Sequence, residues 1–97
     1  MSAILRNSDK PHKRYVIEIS NDKIHFGDDR YENYTMHQDN KRRKNYISRH
    51  KPREVWNKYG IFTPGFWSRW LLWEKPTLSA AIKNIKNKFG ITIKNAT

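Results

Sequence analysis

The sequence predicts a small α+β protein of one domain, in which an N-terminal β-hairpin packs against three or four short helices. Three observations predict this class. Apolar residues alternate with polar ones over residues 14–26, three of the four tryptophans lie within residues 65–73, and residues 78–89 carry apolar side chains at helical spacing. A chain of 97 residues is long enough for one domain of ordinary size and too short for two.

The beginning of the chain divides into an expected arm and an expected hairpin. Residues 1–13 are polar and include a proline, so we expect a flexible arm there and the folded domain over residues 14–97. Apolar side chains alternate along residues 14–19, turn-forming residues fill positions 20–23, and the alternation resumes over residues 24–26. This pattern indicates two strands joined by a tight turn.

A helix is expected to end near His50, just before a proline at position 52. Thr35 and Gln38 have the spacing of a capping box, and Asp39 is a competing N-cap, so the helix should begin between these positions. On this helix Arg43 shares a face with Tyr46, Ile47 and His50, and the opposite side is polar. Half of the helix surface is therefore expected to face solvent.

Three further elements are expected after this helix. A second short helix should cover residues 53–59 and stop at Gly60. Thr77 should cap a last helix that ends at Gly90. Residues 91–93 alternate like a short strand, which could join the hairpin.

The tryptophan segment, residues 65–73, is expected to form the core. Trp67, Trp70 and Trp73 recur every three residues, which places them on one side of a short helix. In a basic protein such side chains could also stack on single-stranded bases, but their spacing beside two leucines favours burial. Arg69 lies between two of these tryptophans, so we expect a structural role for it beside an indole or with a carboxylate.

The charge of the chain suggests an acidic partner. Twenty Lys and Arg against nine Asp and Glu give a formal charge of +11 at pH 7. Nucleic acid is the commonest polyanion, although a membrane surface, an acidic protein face or a role in solubility alone would also fit. The sequence has no cysteine, which excludes disulfides and thiolate metal sites and makes an intracellular location the default expectation. No apolar run reaches the roughly 18 residues of a membrane span, so no membrane insertion is expected.

The strongest functional signal lies between Asp39 and Arg53. This stretch has seven Lys or Arg and one carboxylate, a local net charge of +6. Such residues on a helix can pair with phosphates without reading sequence, although a solvated helix face is the alternative interpretation. The candidate nucleic-acid-binding residues are Lys41, Arg42, Arg43, Lys44, Arg49, Lys51 and Arg53.

The histidines and aspartates give a weak signal for a metal site. His25, His37 and His50, with three aspartates, lack the His-Glu-x-x-His motif and any pair of histidines four residues apart. We therefore expect no metal, no cofactor, no small-molecule substrate and no enzymatic activity, and a metal-dependent nuclease is only the third hypothesis. The acidic residues of the 28–32 loop are instead expected to contact the basic helix of the same chain or of a neighbouring copy.

Several stretches together resemble a small uncharacterised family of large DNA viruses of eukaryotes and marine viral sequences. They include His25-Phe26-Gly27-Asp28, residues 34–39, residues 46–51 and the long stretch from Thr63 to Leu78. The resemblance covers about two thirds of the chain and leaves the first 13 residues outside. It implies a viral origin and a virion or genome-associated protein, but the family has no established activity.

The stretches that carry this resemblance are rich in Tyr, Trp, Arg and His, and such a pattern can also specify a tightly packed structural module. In that interpretation six polar residues form an internal network instead of a site. They are Asp28, Arg30, His37, Asp39, Arg49 and His50.

Two functions follow as hypotheses. The first is a non-enzymatic basic viral protein that binds nucleic acid, in particular duplex DNA, through phosphate contacts. The second is a minor capsid or other structural protein of the virion that contacts acidic faces of its neighbours. Either protein would be found in the virion, and in the cytoplasm or nucleus of the host cell during infection.

Overall fold

A four-stranded sheet is the base of the fold in the computed structural model, which describes all 97 residues. Its strands are β1 (Ser2–Asn7), β2 (Lys13–Ile19), β3 (Asp22–Asp28) and β4 (Thr92–Asn95). They lie in the order β3-β2-β1-β4. Strand β2 is antiparallel to both of its neighbours, and β4 runs parallel to β1. The first and last strands of the chain are thus paired.

The expected flexible arm over residues 1–13 is wrong. Strand β1 lies inside the sheet between β2 and β4, and Ala3 and Leu5 are buried. Leu5 pairs with Ile17 and is completely buried, so the strand contributes to the core. Its alternation of buried and outward side chains extends over few residues and Ile4 lies on the opposite face, which weakened the signal in the sequence. The folded domain therefore begins at β1 and not at residue 14.

The hairpin of β2 and β3 is confirmed. Its turn consists of Ser20 and Asn21, which both have positive φ values of 54° and 69°. Two consecutive residues with this conformation form a tight turn whose twist matches that of the adjoining strands. The register that follows pairs Ile19 with Asp22 and Ile17 with Ile24. Ile17 and Ile24 consequently share the buried face of the sheet.

Four α-helices accompany the sheet, which confirms the α+β class. They are α1 (Tyr34–His37), α2 (Asn40–His50), α3 (Pro64–Trp67) and α4 (Leu78–Phe89). Helix α3 continues as a π-helical segment over Ser68–Trp73. Asp39 is the N-cap of α2 and accepts hydrogen bonds from two backbone N–H groups, whereas Thr35 lies inside α1. Thr77 and Gly90 cap α4 as expected.

The predicted helix over residues 53–59 does not form. A short 3₁₀ turn, Lys58–Gly60, is the only helical part of this segment. The side chain of Asn57 accepts a hydrogen bond from the backbone N–H of Tyr59, and such local bonds compete with helix formation. The chain also folds back closely, because a Cβ atom on Gly60 would lie 1.9 Å from the carbonyl oxygen of Val55.

The tryptophan segment forms the core together with one face of the sheet. Trp67 is fully buried and Trp70 is 7% exposed, which confirms their expected burial, while Trp73 is partly buried. The indole N–H of Trp67 donates to the carbonyl of Ile61 at 2.7 Å, and that of Trp70 donates to the carbonyl of Trp56 at 2.9 Å. Both polar groups are therefore satisfied inside the core. None of the helices combines the length and the apolar character required to cross a bilayer.

Candidate functional site

Helix α2 has three distinct sides. The side that faces the protein carries Arg43, Tyr46, Ile47 and His50, which are buried or half-buried. The other two sides are exposed to solvent. Three residues lie on the outer side, Lys41, Lys44 and Ser48, and three line a cleft, Arg42, Asn45 and Arg49. The division follows from the helical spacing of three, four and seven residues.

Arg43, one of the predicted nucleic-acid-binding residues, makes structural contacts within the chain. Its Nε donates to the backbone carbonyl of Trp73 at 2.9 Å, and its Nη2 donates to the carboxylate of Glu74. Its guanidinium carbon also lies 5.6 Å from the centre of the Tyr34 ring. These contacts join α2 to the end of the tryptophan segment and distinguish Arg43 from the other cations of the predicted set.

The outer side of α2 is a row of free cations. Lys41 and Lys44 are exposed, and so is Lys51, the residue that follows the helix. Their ammonium groups form no hydrogen bond or ion pair within the chain. Because the protein supplies no counterion here, these three charges are available to an external anion. Arg53 is also exposed, and its guanidinium makes one long hydrogen bond of 3.4 Å to the carbonyl of Arg49.

A cleft separates α2 from the loop that follows β3. Its inner part has a volume of about 300 Å³ and its outer part about 450 Å³. Both parts are lined by Tyr31, Glu32, Arg49 and Trp73, so they form one continuous depression. Arg42 pairs with Glu32 across the outer part at 3.2 Å, and the guanidinium of Arg49 has no partner. One of the two cleft arginines is thus free to bind an anion.

An aromatic stack forms the floor of the cleft. The rings of Trp73 and Tyr46 are parallel, with centres 4.2 Å apart, and His50 stacks on the other side of Tyr46 at the same distance. Burial, followed by the charge of Arg49, lowers the pKa of His50, so the imidazole is neutral at pH 7. Burial likewise raises the pKa of Tyr46. The neutral forms of both side chains are therefore favoured in the floor of the cleft.

The loop wall of the cleft is fixed by its own ion pairs. Asp28 accepts two hydrogen bonds from the guanidinium of Arg30 and one from its backbone N–H, and these contacts lower the pKa of Asp28. Arg14 donates to the carbonyl of Tyr31 at 3.1 Å. The expected contact between the acidic loop and the basic helix is present in the pair of Glu32 and Arg42.

The predicted single network of six polar residues is wrong. Asp28 pairs with Arg30, whereas Asp39 caps α2 and its own backbone N–H donates to Nδ1 of His37. Arg49 and His50 lie beside the cleft and contact neither pair directly. Four of the six residues therefore form two local pairs, each close in sequence. Asp28, Arg49 and His50 line the same cleft without hydrogen bonds between them.

Another ionic cluster lies beside the core and was not expected in this form. Arg69 has a side chain that is 10% exposed and lies between two indoles, 4.5 Å from the ring centre of Trp70 and 5.1 Å from that of Trp56. Its Nη1 is 3.1 Å from Glu74, the carboxylate that also pairs with Arg43. The structural role expected for Arg69 is confirmed, and Glu74 links the two arginines.

The histidines lie apart from one another. The Nδ1 atom of His25 is hydrogen-bonded to the hydroxyl of Ser8 at 2.7 Å on the sheet, whereas His37 and His50 flank the aromatic stack. No group of three His, Asp or Glu side chains lies close enough together to hold a metal ion. His25 is thus a hydrogen-bonded strand residue.

The fold and this surface define a small α+β protein with an exposed basic helix beside a cleft. Residues 3–50 match a family whose description is "Family of unknown function (DUF5754)". This span contains β1, the hairpin, α1 and α2, so it includes the basic helix and the loop wall but not the tryptophan segment. It also includes β1, which the resemblance noted in the sequence left outside. No curated protein and no solved structure matches the chain.

Proposed function

We propose that the protein is a non-enzymatic nucleic-acid-binding protein that contacts the phosphates of duplex DNA through the exposed sides of α2. The observation that supports this most directly is a group of exposed cations that have no carboxylate partner in the chain. They are Lys41, Lys44, Arg49 and Lys51. Arg42 and Arg53 border the same surface and extend it.

The spacing of these cations suits a phosphate backbone. Lys41 and Lys51 are ten residues apart on a helix, which corresponds to about 15 Å along its axis. Duplex DNA carries one phosphate charge per about 1.7 Å of its axis, so several phosphates lie within reach of this row. Each contact releases a condensed cation from the DNA and makes the affinity depend on salt. Contacts to phosphates carry no sequence information, so the proposed binding is independent of sequence.

The whole-chain charge supports the same partner. With a formal charge of +11, the protein is attracted to any polyanion. Asp28 of the acidic loop pairs with Arg30, and Glu32 pairs with Arg42 on the cleft side of α2. The paired acids leave the outer side of α2 without competing carboxylates. Nucleic acid is therefore favoured over a role of these lysines in solubility alone.

The test is the affinity for a short DNA duplex measured across a salt series. One variant replaces Lys41, Lys44 and Lys51 by glutamine. The matched control replaces Lys75, Lys83 and Lys94, which are also exposed, so both variants lose three charges. If the three α2 lysines each contact one phosphate, the slope of log K against log salt decreases by about 2.7 in the first variant and much less in the control.

Two results would contradict the proposal. Absence of duplex binding by the unaltered protein at low salt excludes it directly. Equal losses in the two variants show that net charge matters and that α2 is not the contact surface. Binding to single strands with higher affinity than to the duplex would leave the surface in place but change the substrate.

The resemblance to sequences of large DNA viruses supports a place in the virion, associated with the genome. Particles can be opened and separated into emptied shells and released DNA. A genome-associated protein leaves with the DNA. If the protein instead stays with the shells, the alternative function as a minor capsid protein that contacts acidic faces of its neighbours replaces this proposal.

A further inference from the structure

An apolar groove lies beside the end of α4 and is separate from the cleft. Its volume is about 350 Å³, and five of the seven residues around it are hydrophobic. They are Met1, Lys58, Tyr59, Ile61, Phe89, Gly90 and Ile91. None of these residues lines the cleft or belongs to α2. The groove is thus a second surface that the proposed DNA contact does not use.

The segment that forms one wall of the groove is unusually apolar for a surface. Two residues that line the groove, Tyr59 and Met1, are 79% and 63% exposed. Val55 and Phe62 of the same segment, 48% and 50% exposed, lie outside the lining. Single exposed apolar residues are normal on a soluble protein. Two of them at one depression, with two more on the adjoining segment, are typical of a surface that binds another molecule.

The charge around the groove indicates what kind of molecule binds. The residues that line the groove include Lys58 and no acidic residue. The ammonium of Lys88 lies 6.0 Å from the ring centre of Phe89, which also lines the groove. A second copy of the chain would bring a further formal charge of +11 to this positive rim, which disfavours self-association. A partner with carboxylates next to an apolar side chain is complementary to both features.

We propose that the groove binds an acidic protein segment that inserts an apolar or aromatic side chain. The inserted side chain packs against Ile61, Phe89 and Ile91, and flanking carboxylates pair with Lys58 and Lys88. Tyr59, which lines the groove and is 79% exposed, supplies an aromatic ring of the kind that is enriched at protein interfaces. This site is independent of the DNA contact, so either proposal can fail without the other.

The experiment uses the full chain and a labelled peptide with a central Trp-Leu pair flanked by glutamates. Fluorescence anisotropy measures the affinity, and ¹⁵N–¹H correlation spectra locate the contact. We expect shifts at residues 58–61 and 89–91, and a loss of affinity of about tenfold in Tyr59→Ser. The control is Met36→Ser, a change at a 51% exposed apolar residue that lies outside both the groove and the cleft, which should leave the affinity unchanged.

Several outcomes would overturn the inference. If a peptide with lysines in place of the glutamates binds equally well, charge has no role in the binding. If the shifts are confined to α2, the acidic peptide binds the proposed DNA surface and not the groove. Shifts of the groove signals that depend on protein concentration without peptide identify a second copy as the occupant. Binding to anionic lipid vesicles that needs Tyr59, with no peptide binding, identifies a membrane surface instead.

Discussion

Replacement of Arg43 by alanine should destabilise the protein without weakening its contact with DNA. The guanidinium donates to the carbonyl of Trp73 and pairs with Glu74, and 28% of its side chain is exposed. Hydrogen bonds that involve a charged group contribute about 1.5 to 3 kcal/mol each. Glu74 keeps its contact with Arg69 in this variant. We therefore expect the free energy of unfolding to fall by about 3 kcal/mol, which is less than the full energies of the two lost hydrogen bonds added together.

The adjacent residue provides the matched control. Lys44 is exposed and its ammonium group has no partner in the chain, so Lys44→Ala should change the free energy of unfolding by less than about 0.5 kcal/mol. The same change should reduce the salt dependence of DNA binding by about 0.9 in slope. Two neighbouring cations on one helix should thus have opposite effects on stability and on binding.

Urea denaturation followed by tryptophan fluorescence measures the first effect, and the slope m should remain unchanged. Duplex binding across a salt series, at temperatures where both variants are folded, measures the second. The reasoning is refuted if Arg43→Ala keeps the stability of the parent and reduces the salt slope. It is also refuted if Lys44→Ala destabilises the protein as much as Arg43→Ala does.

Two other predictions concern the backbone and the histidines. Gly60→Ala should lower the free energy of unfolding by about 3 kcal/mol, since its Cβ would lie 1.9 Å from the carbonyl oxygen of Val55. Gly90→Asn, at a φ of 70° with open space around it, should leave the free energy of unfolding almost unchanged. Thermal denaturation compares the two variants. Burial lowers the pKa of His37 and His50 in the folded state, so the unfolded chain binds more protons as the pH falls below the ordinary histidine value of about 6.5. The free energy of unfolding should therefore decrease as the pH falls below that value. Replacement of both histidines by glutamine should make the urea midpoint less dependent on pH in this range. An unchanged pH dependence in the variant would contradict the role of these two histidines.

Local periodicity predicted the elements whose contacts are close in sequence. The hairpin of β2 and β3 follows from alternation around turn formers, and α4 follows from its apolar spacing between Thr77 and Gly90. Asp39 was recognised as a possible cap of α2 because its side chain binds backbone groups two and three residues ahead. Such signals are contained in a short window, so the sequence alone is sufficient to find them.

Two predictions differed from the structure, one because of contacts within the segment itself and one because the partners lie far along the chain. The sequence of residues 53–59 has helical spacing, but Asn57 and the close approach of Gly60 to Val55 replace the helix by a turn. Arg43 was identified as a cation on the inner side of a helix, yet its partners, Trp73 and Glu74, are 30 and 31 residues away. Sequence spacing could not assign it to one of its two possible roles.

The sequence by itself determined the class of the fold, the burial of Trp67 and Trp70, and the positive charge of α2. These properties depend on composition and on the side that each residue takes within its own element. The tertiary structure alone decided that β1 lies inside the sheet, that a cleft borders α2, and which cations remain free. Those features arise when segments such as β1 and β4, at opposite ends of the chain, pair in space, and local patterns contain no information about that pairing.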